Sequence, residues 1–183
     1  MRKLMKIMAA NVGLVLLLVA GCNETSTPVA SNSGSQRAAD GEKFLLATEP
    51  EGAKGVSEVR QHVKDGDAVV VVGRIGGDVK PWVDGRAAFW IVDPSLKACG
   101  EGGDDDGCKT PWDYCCTPKE DLVKAMATVK IADEAGQTIS TDARELLGLK
   151  ELQTVVVRGT AKRDADGNLT VIATGIYRRP EKK

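Results

Sequence analysis

Ala68-Val69-Val70-Val71-Val72-Gly73-Arg74-Ile75-Gly76-Gly77 is the stretch on which the fold turns. A continuous β-branched run of this kind predicts a strand buried on both faces. Gly73, Gly76 and Gly77 then permit sharp curvature or a bulge. Downstream, Arg86 to Asp93 reads as a second strand, with the turn signal Asp84-Gly85 before it and Pro94 ending it. Val123 to Ile131 alternates cleanly between apolar and polar residues, which predicts a half-exposed strand. Thr154–Ala161 and Leu169–Tyr177 are two further strands, joined by the hairpin loop Asp164-Ala165-Asp166-Gly167-Asn168. Upstream, Val56, Val59 and Val63 fall at helical spacing, with Gly66 placed to cap the helix. Ser140-Thr141-Asp142 followed by Glu145 predicts a second helix start, with Leu146, Leu147 and Leu149 as its apolar face. Thr117-Pro118-Lys119-Glu120 carries a capping pattern too, but the alternation that begins just after it leaves room for one turn only.

The order is therefore helix, three strands, helix, two strands, and the fold class is mainly β. That order resembles an OB-fold over about Asp67 to Arg179: a five-stranded antiparallel barrel with one or two short helices, one of them between the third and fourth strands. A small open β-sandwich is the alternative. In a meander successive loops alternate ends, so the loop Gly76–Gly85 with Trp82 is expected at the barrel end opposite the loop that follows the second strand. The OB resemblance implies ligand binding at the former end, which nominates Lys80, Trp82, Arg86 and Arg163.

The second and third strands are joined by a long insertion, residues 95–117, which holds Cys99, Cys108, Cys115 and Cys116. Long loops in compact domains are functional or internally braced. An even set of cysteines reads first as disulfides if the chain is exported, as its N-terminus below implies, each stabilising by about 2–4 kcal/mol. Adjacent cysteines in an extended segment point apart, so Cys115 and Cys116 are each expected to pair with Cys99 or Cys108, in either of two connectivities. No cofactor is needed on that reading. The alternative is a metal- or redox-handling site, since four thiolates suit zinc or copper. The same loop holds Glu101 and Asp104-Asp105-Asp106, whose spacing does not follow an EF-hand and which reads as a solvated acidic tip. Thr110-Pro111-Trp112-Asp113-Tyr114-Cys115-Cys116 resembles strings in exported bacterial lipoproteins. Trp112 and Tyr114 are expected to pin the loop to the barrel; presenting a partner surface is the alternative.

At the N-terminus Arg2, Lys3 and Lys6 precede an apolar run, Val12–Ala20, too short to span a bilayer, and Gly21-Cys22 supplies a cut site. Val19-Ala20-Gly21-Cys22 resembles a bacterial lipobox. The resemblance implies a signal peptide over residues 1–21, a palmitate-type lipid anchor on Cys22, and a place in the cell envelope. With Asn23 after the cysteine, outer membrane facing the periplasm is expected rather than inner membrane. Residues 22–43 are expected to tether a domain over residues 44–183, because this Ser-, Thr- and Asn-rich tract cannot bury enough apolar surface to fold. Removing Arg2, Lys3 and Lys6 with the signal takes the formal charge from -1 to -4, which argues against nucleic acid as partner. His62 is the single histidine, and no phosphate loop, dinucleotide fingerprint or Cys-x-x-Cys motif occurs. No catalytic residue is nominated, and the chain is expected not to be an enzyme. The expected function is a membrane-anchored binding or scaffolding module for an envelope protein or small ligand. The metal- or redox-handling lipoprotein and a purely structural envelope protein are the alternatives.

Overall fold

Crowding at Cβ holds Val69 to Val72 in extended backbone, and in the computed structural model this run lies within the strand that the rest of the domain is built around. The structure describes residues 40–101 and 107–180. The signal segment, Cys22, the tether up to residue 39, Asp104–Asp106 and the last three residues lie outside the described residues. In chain order the elements are β1 (Lys54–Gly55), α1 (Val56–His62), β2 (Ala68–Ile75), β3 (Ala88–Val92), a 3-10 turn (Pro111–Asp113), α2 (Lys119–Lys124), β4 (Met126–Ile131), α3 (Ala143–Leu147), β5 (Thr154–Arg163) and β6 (Leu169–Arg178). Among the described residues no helix is long and apolar enough to cross a membrane.

The fold is mainly β, a six-stranded mixed sheet in the order β1-β2-β3-β4-β6-β5 with a further β2–β5 pairing. One edge of β2 pairs with β5 from Ala68↔Thr160 to Arg74↔Thr154. The other edge pairs first with β1 at Val71 and Val72, then with β3 at Arg74 and Ile75. Gly73 sits where the partner changes. A Cβ there would lie 2.8 Å from Ile91 Cβ, so only glycine lets the two backbones approach this closely.

Several expectations are corrected. The sheet has a sixth strand, the two-residue β1, and it is not purely antiparallel, because β1 pairs parallel with β2 and β4 pairs parallel with β6. The second follows from direction. Strands β2 to β6 alternate up and down, so a pairing that skips one strand joins two of the same sense. The helix content also exceeds one or two. α2 runs six residues to Lys124, so Val123 is an exposed helical residue and the strand starts at Met126. Val123 has the same parity as Ala125, Ala127 and Val129, so alternation alone could not separate helix from strand. α1 ends at His62 with Val63 extended, and Gly66 (φ 87°) serves a turn, not a cap. Asp142, by contrast, caps α3 as expected, accepting from the Arg144 N–H at 2.9 Å.

The main core gathers Val71, Ile75, Phe89, Ile91, Val129, Val157 and Ile176 from the sheet, with Val56 and Val59 of α1 and Leu146 and Leu147 of α3. Gly41 is buried against Leu146, so the last part of the expected tether already packs on the domain, and Leu45 just after it bridges to Ile176. A second, smaller cluster forms around Val92, Ala98 and Tyr114, with Leu96, Leu122, Met126 and Leu152 against it. It fastens the cysteine insertion.

Candidate functional site

The cysteine insertion leaves β3 through Asp93, a buried carboxylate. Asp93 Oδ2 accepts the Ser57 N–H at the start of α1 (2.8 Å), and Oδ1 accepts the Ser95 N–H (2.9 Å). Burial pushes this carboxyl up, but the hydrogen bonds from Ser57 and Ser95 outweigh it and hold it below its usual value. The return limb begins with the 3-10 turn. Asp113 Oδ2 accepts from the Thr110 hydroxyl at 2.7 Å and Oδ1 from the Cys115 N–H at 2.8 Å, so Asp113 locks the turn to the residue after Tyr114. Tyr114 takes the left-handed conformation (φ 58°, ψ 32°), and the Thr117 N–H donates to Tyr114 O at 2.9 Å. Cys115 and Cys116 therefore occupy the two central positions of a β-turn.

That turn corrects the premise of an extended segment. All four cysteines converge. Cys99 Sγ lies 3.4 Å from Cys115 Sγ, Cys108 Sγ 3.8 Å and Cys116 Sγ 4.0 Å from the same atom. The Cys116 N–H also points at Cys99 Sγ, and Asp113 Oδ1 lies 3.9 Å from it. No S–S bond joins the four; a disulfide needs about 2.05 Å. Burial raises the Cys99 thiol, but the Cys116 N–H and the thiols of Cys115, Cys116 and Cys108 together draw it below its ordinary value. Hydrogen bonding to Cys99 first, then to Cys108 and Asp113, pushes the Cys115 thiol strongly up. The cluster thus draws Cys99 toward its thiolate form and holds the proton on Cys115. Cys99 is buried, Cys108 half-buried, and Cys115 and Cys116 exposed.

Tyr114 is completely buried and carries the loop's anchorage, as expected; its hydroxyl has no protein hydrogen-bond partner. Trp112 is half-buried and donates its indole N–H to Val79 O at 3.1 Å. Gly77 N–H donates to Trp112 O at 2.8 Å. The cysteine loop and the Gly76–Gly85 loop therefore meet, which overturns the expectation of opposite ends. The reason is register. β2 pairs with β3 only at Arg74↔Val92 and Ile75↔Ile91, so Gly76 and Gly77 emerge beside the C-terminal end of β3, where the insertion begins.

The other nominated surface is occupied internally. Trp82 is buried, donates to Glu151 Oε1 at 2.6 Å and lies under the Arg144 guanidinium at 5.5 Å. Arg86 donates to Thr138 O and Ser140 Oγ. Arg163 donates to the carbonyls of Val63, Gly167 and Arg60. Lys80 is exposed, its backbone N–H held by Asp78. The structure does not bring these four together as a binding face. Glu101 pairs with Arg74 at 2.6 Å. An open groove of about 600 Å³ beside α1, lined by Lys54, Glu58, His62, Val69 and Arg158 among others, shares no residue with the cysteine loop.

Sequence reasoning missed Asp113 and Asp93. Asp113 was legible only as Thr-Pro-Trp-Asp, a local side-chain cap three residues long, and Asp93 only as Asp-Pro at a strand end. No protein-family model matches the chain, and no curated protein matches it.

Proposed function

We propose that the chain is a lipid-anchored lipoprotein of the bacterial cell envelope, and that its domain is a non-catalytic, OB-like binding module whose working end is the cysteine loop. The lipoprotein reading is supported by the basic, apolar and Gly21-Cys22 succession at the N-terminus. The OB-like reading is supported by the succession of pairings β2–β3–β4–β6–β5 and back to β2, and by α3 lying between β4 and β5.

One observation carries the choice of working end. Four thiols and one carboxylate converge in a loop braced by Tyr114, while Trp82, Arg86 and Arg163 are spent on internal contacts. A binding end needs groups that are held in place and presented at the surface. The exposed sulfurs of Cys115 and Cys116 meet the first condition through Asp113 and the turn. The mature chain's acidic charge directs the partner away from nucleic acid and toward another envelope protein or a small ligand.

The anchor is tested by expressing the full chain in a bacterium fed labelled palmitate and measuring the intact mass of the membrane form. The expected product starts at Cys22, carries label, and fractionates with the outer membrane; Cys22→Ser removes the label. A wild-type chain that keeps its first 21 residues and takes up no palmitate would sink this reading.

A further inference from the structure

Two disulfides and one metal centre leave different marks on four sulfurs. Disulfides make two exclusive pairs, each at about 2.05 Å. A tetrahedral ion with metal–sulfur bonds of about 2.3 Å places all its sulfurs about 3.8 Å apart, the edge of the tetrahedron. Here Cys115 Sγ stands 3.4, 3.8 and 4.0 Å from the sulfurs of Cys99, Cys108 and Cys116, and the sulfurs of Cys99, Cys108 and Cys115 lie with an Asp113 carboxylate oxygen all within 4.8 Å of one another.

The backbone builds this arrangement by identifiable means. Cys115 and Cys116 turn toward the same centre because the left-handed Tyr114 and the Tyr114–Thr117 turn replace the extended path that would splay them. Asp113 fixes the Cys115 N–H. The Cys116 N–H directed at Cys99 Sγ is a hydrogen bond of the kind that orients and stabilises a ligating thiolate. Tyr114, buried in the small cluster with Val92 and Ala98, holds the whole unit on the end of β3.

We propose that Cys99, Cys108, Cys115 and Cys116 together bind one thiophilic d10 cation, Zn(II) or Cu(I), with Asp113 as the positioning residue. Sulfur donors select this class over the oxygen-seeking Mg(II) and Ca(II). This ion would be the ligand of the working end assigned above, so the site rests on that reading. Binding is not a redox step. Each ligating thiol gives up its proton to solvent as its sulfur bonds the ion, four protons for a four-thiolate site. With Cys115 and Cys116 exposed and Cys99 buried, the ion is reachable from one side, which suits loading and release rather than permanent enclosure.

The test uses the full-length chain extracted in detergent from its native envelope without oxygen, and follows it by native mass spectrometry. The reduced chain is then titrated with Zn(II), with Cu(I), and with Co(II) as an optical probe. The expected result is one ion per chain, with Co(II) giving thiolate charge-transfer and tetrahedral d–d bands. Four-proton release with Zn(II) assigns zinc; stoichiometric uptake of Cu(I) but not Zn(II) assigns copper. Cys99→Ser and Cys116→Ser each abolish the Co(II) bands, with the sheet's far-UV circular dichroism unchanged. Should Cys99→Ser misfold, the exposed Cys116→Ser carries the test. A native chain four hydrogens lighter than its reduced form, with a reduced chain that takes up none of the three ions, would overturn the site. So would Co(II) bands that survive Cys116→Ser. An unlipidated mature chain that still binds the ion would fail the anchor alone, and a lipidated chain with no ion would fail the site alone.

Discussion

At the scale of single residues, Asp93 is the joint between the cysteine loop and α1. Its two carboxylate oxygens serve Ser57 and Ser95 from inside the protein. Asp93→Asn keeps the shape but exchanges one acceptor oxygen for a donor, facing an N–H that already needs an acceptor. A cost of about 1–3 kcal/mol is expected. Because the folded-state value is held below the unfolded one, near 3.9, the carboxylate's contribution is complete above that pH and is lost as pH falls through the lower, folded value. Urea unfolding of both proteins across the acid range checks this: the wild-type advantage should hold at neutral pH and shrink below about pH 4. An advantage unchanged down to strong acid would count against the assignment. Sequence could not single out Asp93, because its burial depends on α1 lying across the end of β3. Cys99 and Tyr114 were legible as residues of note from residue type and place in the chain.

Among the elements, the junction that matters is the end of β2 against the cysteine loop. A Cβ on Gly76 would lie 2.5 Å from Trp112 O and 2.9 Å from a ring carbon of Tyr114. Gly76→Ala should push the 3-10 turn off β2 and break the Gly77–Trp112 hydrogen bond, at about 1–3 kcal/mol. Hydrogen exchange reads the outcome directly: the Gly77 amide should lose protection while the amides of β5 keep theirs. Equal exchange in variant and wild type would show that the two loops do not support each other. The glycines were visible in sequence as sites of curvature. That Gly76 meets Trp112 was not, since the contact arises from the two-pair register of β2 with β3, and register is set by packing across the sheet.

For the whole molecule, the main core and the small cluster around Tyr114 are separate groups of buried side chains, and no cysteine belongs to the main core. Loading or stripping the cysteine loop should therefore leave the sheet standing. Replacing Cys99, Cys108, Cys115 and Cys116 together by Ser is expected to preserve the far-UV spectrum and a cooperative thermal transition, while protease cleavage between Ser95 and Thr117 becomes faster. Loss of the cooperative transition would mean that the loop is integral to the fold, as in metal-dependent small domains.

The sequence by itself determined the mainly β class, the five principal strands to within a few residues at their ends, the cap at Asp142, and the gathering of four cysteines into one loop. These follow from periodicity, β-branching, turn residues and spacing, which act over short stretches of chain. Tertiary structure alone decided the parallel β4–β6 pairing, the meeting of the two loops that alternation had placed apart, and the withdrawal of Trp82 and Arg163 into internal contacts. It also decided the direction of the adjacent cysteines, because the left-handed Tyr114 is held by burial among side chains from β3, β4 and the segment before β5, far from it in sequence.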